Sequence, residues 1–74
     1  MFLTKEEIEN RGAYHPPTER AVIKHGELRE IYKRAATWVN ENTPDCRESS
    51  TAQTRLEEFL FWANAAIARN HDKL

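Results

Sequence analysis

The sequence has few of the residues that usually stabilise a very small protein. Its 74 residues include one cysteine, Cys46, so no internal disulfide can form. The three histidines, at positions 15, 25 and 71, are far apart and have no second thiol near them, so no metal-binding pattern is present. Because the core of so short a chain rarely supplies more than about 3–5 kcal/mol, we expect a homo-oligomer.

Excess charge and long apolar runs are missing as well. The chain has 11 basic and 12 acidic side chains, a near balance that argues against DNA binding through a basic surface. No apolar run approaches the roughly 20 residues of a membrane-spanning helix, and the segment Met1–Glu7 lacks the layout of a signal peptide. We therefore expect a cytoplasmic protein with neither DNA nor a membrane as a partner.

The sequence contains no strand pattern, but it does contain signals for the starts and ends of helices. The β-branched residues are scattered, and no alternating run reaches five residues. Thr4 and Glu7 form a capping box, which predicts a short helix of about two turns. This helix should end at Gly12, which we expect to adopt the left-handed conformation that follows many helices.

Two long helices are predicted after this segment. Pro16 and Pro17 exclude a helix there, Thr18 is a natural N-cap, and the pattern continues over residues 19–42. Asp45 and Glu48 resemble a second capping signal, which predicts a helix over 46–70. The short loop makes the two helices antiparallel. The predicted fold class is all-α, with one helical-hairpin domain over 1–74, in which 1–18 hold the short helix and a Tyr-His-Pro-Pro segment.

Aromatic residues lie on both faces of the last helix. Leu56, Leu60 and Ile67 share one face, whereas Phe61 points about 140° and Trp62 about 120° away from it. The N-terminal segment could cover this second face, or it could be exposed. We favour an oligomer interface, because aromatic residues are enriched at interface cores.

Catalytic patterns are missing from the sequence. Residues 49–51 are two serines and a threonine that open a helix, without a base beside them. Glu57 and Glu58 are adjacent, so they point about 100° apart and cannot share a site. Neither glycine belongs to a phosphate-binding loop. We expect a protein that is not an enzyme and that needs no cofactor or metal.

Tyr14 and Arg29 are the first candidates for binding an anionic ligand. Tyr14 lies in a proline-braced segment before a helix N-terminus, where an aromatic ring can stack on a base. Arg29 lies three turns into that helix, and its guanidinium can hold a phosphate through two hydrogen bonds. In the alternative reading, Tyr14 packs beneath the loop and Arg29 pairs with Glu7 or Glu30.

The last helix adds further polar candidates. Arg47 and Arg55 are eight residues apart and can share one side of the helix, although both could simply pair with nearby glutamates such as Glu48 and Glu58. Asn64 is a polar amide among apolar residues, which suits either an interface hydrogen bond or a ligand contact.

Four motifs in order give the chain a family resemblance. They are Tyr14-His15-Pro16-Pro17, Pro44-Asp45-Cys46-Arg47-Glu48-Ser49, Thr54-Arg55-Leu56-Glu57-Glu58 and Trp62-Ala63-Asn64-Ala65-Ala66-Ile67-Ala68-Arg69. Together they resemble the phage and prophage proteins of the Acb/Tad hairpin-domain family, over about residues 11–70. The resemblance implies a sponge that sequesters the cyclic nucleotides of bacterial anti-phage systems in the host bacterial cytoplasm, without cleaving them.

The resemblance also implies ligands and an assembly. Stand-alone hairpin proteins of this family are similar to anti-CBASS sponges that bind cyclic dinucleotides and cyclic trinucleotides. They assemble as a hexamer, a trimer of dimers, with dinucleotides between paired subunits and trinucleotides near the threefold axes. Relatives with the same hairpin bind the cyclic ADP-ribose derivatives of the Thoeris system, which gives an alternative function. An oligomeric protein-interaction module is another alternative.

Residue roles carry over from the family only in part. Its dinucleotide-binding branch has a tyrosine and, fifteen residues later, a lysine; Tyr14 and Arg29 stand at this spacing. An arginine follows the tyrosine in that branch, whereas His15 and Pro16 follow it here. For the trinucleotide arginine of that branch, Arg69 or Arg47 would substitute. The candidate ligand-binding residues are therefore Tyr14, His15, Pro16, Arg29, Arg47, Asn64 and Arg69.

Overall fold

Three α-helices form the described part of the chain. The structure, a computed structural model, describes residues 3–74 and contains no strand within them. Helix α1 spans Lys5–Gly12, α2 spans Glu19–Asn42 and α3 spans Arg47–Arg69, and a short 3-10 turn follows at His71–Lys73. The all-α prediction is confirmed. Helix α3 is one residue shorter at each end than the predicted range of 46–70.

Helix α1 begins as predicted and ends differently. The Thr4 hydroxyl accepts a hydrogen bond from the Glu7 amide at 3.0 Å, and the Glu7 carboxylate accepts one from the Thr4 amide at 3.4 Å. The prediction of a left-handed Gly12 is wrong, because no described glycine has a positive φ. Gly12 is the last helical residue instead, and Ala13 leaves the helix in an extended conformation that leads into the proline-braced segment.

Helix α3 also begins differently from the prediction. Thr18 caps α2 as expected, accepting from the Ala21 amide at 3.1 Å. The predicted cap of Asp45 with Glu48 is wrong: Cys46 is the N-cap residue of α3, and no side chain caps its amides. A different side chain, Ser49, holds the loop: it donates its hydroxyl hydrogen to the Pro44 carbonyl at 2.5 Å. This bond ties the first turn of α3 to the loop before it.

Two hydrogen bonds fix how α2 lies against α3. The ring Nδ1 of His25 is 2.6 Å from Asn64 Oδ1, and the Gln53 amide donates to the Ala36 carbonyl at 2.9 Å. Eleven residues separate the two partners on each helix, so both bonds describe the same antiparallel register. In this register the start of α2 lies level with the end of α3, and the loop closes the other end of the hairpin.

The buried core is very small. Among the described residues only Ala21, 1% exposed, and Leu28, 7% exposed, are buried apolar side chains. The other members of the inner stripes are only partly covered, and α1 has no buried residue. Large apolar side chains are exposed along the chain: Leu3, Ile8, Tyr14, Val22, Ile23, Ile31, Trp38, Phe59, Phe61, Trp62 and Leu74. The helices therefore leave eleven large apolar side chains of one chain exposed.

The overall dimensions agree with this small core. The Cα radius of gyration is 15.6 Å, whereas a compact chain of this length has one of about 11 Å. The accessible surface is 6061 Å², which is about 1,300 Å² more than the roughly 4,700 Å² expected for a compact monomer of this mass. Within residues 3–74, none of the helices has both the length and the apolar character needed to cross a bilayer.

Candidate ligand-binding site

Tyr14 stands between α1 and α2 with its side chain in solvent. It is 83% exposed, so it does not pack beneath the loop as the alternative reading has it. The segment around it is extended, since Ala13 has extended dihedral angles and Pro16 and Pro17 restrict the residues before them. The ring is thus presented by a stiff segment and is free to stack on a flat ligand.

His15 joins this segment to the end of α1. Its ring Nε2 lies 2.7 Å from the Asn10 carbonyl, and because a carbonyl only accepts, Nε2 carries the hydrogen and donates it. The Nδ1 atom of a neutral His15 is then an acceptor. Pro16, the next residue, is exposed. This bond positions the backbone on the C-terminal side of Tyr14.

Arg29 is exposed on α2 and makes no ion pair with any described residue. Glu30, one of its expected partners, pairs instead with Lys33 at 3.7 Å. The Arg29 guanidinium turns back along the helix, with Nη2 3.8 Å from the point where a Cβ atom would stand on Gly26. A guanidinium without a carboxylate partner is available for an anionic group of a ligand.

His25, which is not among the predicted ligand-binding residues, lies one turn before Arg29. His25 and Asn64 are partly buried, and their bond of 2.6 Å joins the two long helices. Since the Asn64 oxygen only accepts, His25 Nδ1 is the donor. His25 precedes Arg29 by four residues, so the two side chains lie on the same side of α2. That spacing was visible in the sequence, but the pairing with Asn64 depends on the register of the hairpin.

The two remaining arginines lie at opposite ends of the hairpin. Arg69 ends α3, level with the start of α2, and Arg47 begins α3 beside the loop. About 33 Å of helix separates them, so one chain does not bring them into one site. Arg55 pairs with Glu58 at 2.8 Å, and this carboxylate raises the pKa of Arg55. Arg47 forms no such pair with Glu48 among the described residues.

The main apolar groove is separate from these polar residues. It has a volume of about 690 Å³ and lies between α2 and α3 towards the loop, where Trp38, Leu56 and Phe59 line it together with Arg55. Phe61 and Trp62, 60% and 70% exposed, are not covered by any described part of the chain. The two rings therefore point away from the core, as their helical angles predict, and the described N-terminal residues do not cover them.

Fold and side chains together define a class of protein: a helical hairpin with a minimal core, exposed aromatic rings and unpaired cationic groups. A protein-family model described as Acb2/Tad1, hairpin domain, matches residues 4–68. The chain belongs to this family, as its four motifs predict. No curated protein and no solved structure matches the chain.

Proposed function

We propose that this protein is a non-catalytic sponge that binds a cyclic dinucleotide made by a bacterial anti-phage system. The observation that carries the proposal is that one hairpin of the Acb2/Tad1 family has both an 83%-exposed Tyr14 and an Arg29 without a carboxylate partner among the described residues. A cyclic trinucleotide is the second proposed ligand class, bound near Arg69 or Arg47. The family supports the wider role, which is the suppression of CBASS-type signalling by a phage protein in the host cytoplasm.

The chemistry of the two side chains suits the two parts of such a ligand. Stacking of a base on an aromatic ring contributes about 1–3 kcal/mol. A hydrogen bond to a charged group contributes about 1.5–3 kcal/mol, and a guanidinium can make two such bonds to one phosphate. Tyr14 would therefore hold a base and Arg29 a phosphate.

A homo-oligomer completes the proposal. A cyclic dinucleotide has two bases and two phosphates, and a twofold dimer has two copies each of Tyr14 and Arg29, so a symmetric pocket needs one set of residues per chain. The chain exposes about 1,300 Å² more surface than a compact monomer of its mass. This difference exceeds the roughly 800 Å² that each partner buries in a standard interface. The family resemblance implies a hexamer built as a trimer of dimers.

Calorimetry with a panel of ligands tests the proposal. We expect a cyclic dinucleotide to bind, and Tyr14→Ala and Arg29→Ala each to weaken binding by about a hundredfold, because each change acts twice in a twofold pocket. Arg29→Lys should be milder, since it keeps the charge. Arg34→Ala is the matched control, because Arg34 is another exposed arginine of α2 without an ion pair among the described residues, and it should bind as the wild type does.

The panel also separates the alternatives. It includes cyclic trinucleotides and cyclic ADP-ribose derivatives, and circular dichroism shows whether each variant keeps its helices. Binding of a cyclic ADP-ribose derivative alone would favour the alternative function, a sponge for the signals of the Thoeris system. Wild-type dinucleotide affinity in both site variants would contradict the roles of Tyr14 and Arg29. Binding of no cyclic nucleotide at all would favour the protein-interaction module.

A further inference from the structure

His25 has one ring nitrogen that the fold does not use. Its Nδ1 donates a hydrogen bond to Asn64 Oδ1 at 2.6 Å, which joins α2 to α3. The other ring nitrogen, Nε2, makes no hydrogen bond to a described residue. Among the described residues that are not exposed, no side chain has a nitrogen or oxygen atom that is both cut off from solvent and without a partner. Nε2 of the half-buried His25 therefore reaches solvent.

The bond to Asn64 also decides what Nε2 can bind. A neutral imidazole carries one hydrogen, and Nδ1 keeps it while it donates to the Asn64 oxygen. Nε2 then has only a lone pair, so it accepts hydrogen bonds and cannot donate one. A phosphate diester has no hydrogen to give. The ligand group that suits Nε2 is therefore a hydroxyl or an amine.

The position of His25 beside Arg29 narrows this choice. Residues four apart on a helix have Cβ atoms about 5–6 Å apart, so both side chains can contact one ligand. The other charged side chains within four residues of His25, Lys24 and Glu27, pair with each other at 3.3 Å. In a cyclic dinucleotide the free hydroxyl of each ribose stands on the carbon next to the one that carries a phosphate ester. A phosphate on Arg29 thus brings a ribose hydroxyl to the side of α2 that holds His25.

We propose that His25 is a further ligand-binding residue, whose Nε2 accepts a hydrogen bond from a ribose hydroxyl beside the phosphate that Arg29 holds. This inference rests on the proposed function and adds a selectivity to it, because a ligand built from deoxyribose lacks that hydroxyl. Tyr14, Arg29 and His25 then bind the base, the phosphate and the sugar of one nucleotide.

Calorimetry with paired ligands tests this role. Each cyclic dinucleotide of the panel is compared with its counterpart built from deoxyribose, at about pH 8, where histidine side chains are ordinarily neutral. We expect the wild type to bind the ribose form about tenfold more tightly, because the deoxyribose form leaves Nε2 without a donor.

Two substitutions separate the roles of the two ring nitrogens. In His25→Asn the amide nitrogen takes the place of Nδ1 and can still donate to Asn64, but no atom takes the place of Nε2, so the preference for ribose should disappear. In His25→Gln the longer side chain places an amide oxygen where Nε2 was, and a preference of at least about threefold should remain. His71→Asn is the matched control, because His71 lies in the 3-10 turn after α3, and it should keep the full preference.

The preference is a ratio of two affinities measured on the same variant, so partial unfolding does not imitate its loss. Equal affinity of the wild type for both forms, or an unchanged preference in His25→Asn, would overturn the role of His25. The proposed function would stand in either case, since the wild type would still bind a cyclic dinucleotide. A wild type that binds neither form would overturn the role of His25 and the proposed function together.

Discussion

Cys46 is a residue whose chemistry is changed by its place in the fold. The Ser49 hydroxyl, and after it the Ser49 backbone amide, lower the pKa of the Cys46 thiol. The two side chains are 3.3 Å apart, sulfur to oxygen. Both amide and hydroxyl belong to the first turn of α3, where free N–H groups favour a negative charge. Because the Ser49 hydroxyl has one hydrogen, it can donate to a thiolate only by turning from the Pro44 carbonyl to the sulfur.

Removal of the Ser49 hydroxyl tests this effect. In Ser49→Ala the strongest interaction that lowers the Cys46 pKa is lost, so the pH midpoint of alkylation by iodoacetamide should rise. Ser50→Ala is the matched control, because the neighbouring Ser50 is exposed and its hydroxyl makes no hydrogen bond to a described residue. An unchanged midpoint in Ser49→Ala would show that the hydroxyl does not act on the thiol.

Asn64 also has a role that is testable without any ligand. In Asn64→Ala the hydrogen bond to His25 is lost, and a partly buried ring N–H is left without its acceptor. We expect a loss of about 1 kcal/mol in the free energy of unfolding. Asn40→Ala, at an exposed position of α2, should change it by less than about 0.5 kcal/mol. A double-mutant cycle with His25→Ala should give a coupling energy of about 0.5–1.5 kcal/mol, and additive changes would contradict the bond.

At the scale of the elements, α1 behaves differently from the hairpin. It has eight residues and buries none of them, and an isolated helix of this length is marginal in water. Its capping box is the main local interaction that favours it. The stability of α1 is therefore nearly independent of α2 and α3.

Thr4→Ala should melt α1 alone. The lost cap costs about 1 kcal/mol, so hydrogen exchange of the amides in Lys5–Gly12 should become faster while the amides of α2 and α3 keep their protection. Thr37→Ala, at an exposed position of α2, is the control and should leave α1 unchanged. A parallel loss of protection in α2 would show that α1 and the hairpin unfold together.

Local signals made the helices predictable from the sequence. Thr4, Thr18 and the prolines mark where helices can begin or must stop, and each acts within a few residues. The cap of α3 was predicted wrongly. Ser49 bonds back to the Pro44 carbonyl, and Cys46 takes the N-cap position that was predicted for Asp45. Long-range pairing was also out of reach, because His25 and Asn64 are 39 residues apart and meet only in one register of the hairpin.

The candidate site was predictable to a smaller degree. The prolines predict the extended segment that holds Tyr14, but the sequence left open whether its ring is exposed. Arg29 lacks the Glu30 partner of the alternative reading, since Glu30 pairs with Lys33. The separation of Arg47 from Arg69 follows from helix length alone. How several chains would bring these residues together depends on contacts between copies, and the sequence encodes those contacts only indirectly, through exposed apolar side chains such as Phe61 and Trp62.

At the scale of the whole molecule, assembly is the first expectation. The groove beside Trp38, the pair Phe61 and Trp62, and the exposed pair Val22 and Ile23 are three apolar surfaces. Light scattering at tens of micromolar should therefore give a mass that is a multiple of the 8.7 kDa chain. A hexamer would agree with the family resemblance, whereas a monomer at this concentration would contradict the proposed twofold pocket.

Recovery of the ligand tests the central claim most directly. The protein is incubated with a cyclic dinucleotide and freed of unbound ligand by gel filtration; it is then denatured by heat, and the released nucleotide is analysed by mass spectrometry over several hours. Sequestration without catalysis predicts intact cyclic dinucleotide, about one for every two chains, in an amount that does not change with time. No retained ligand, or a linear product that increases with time, would contradict the account.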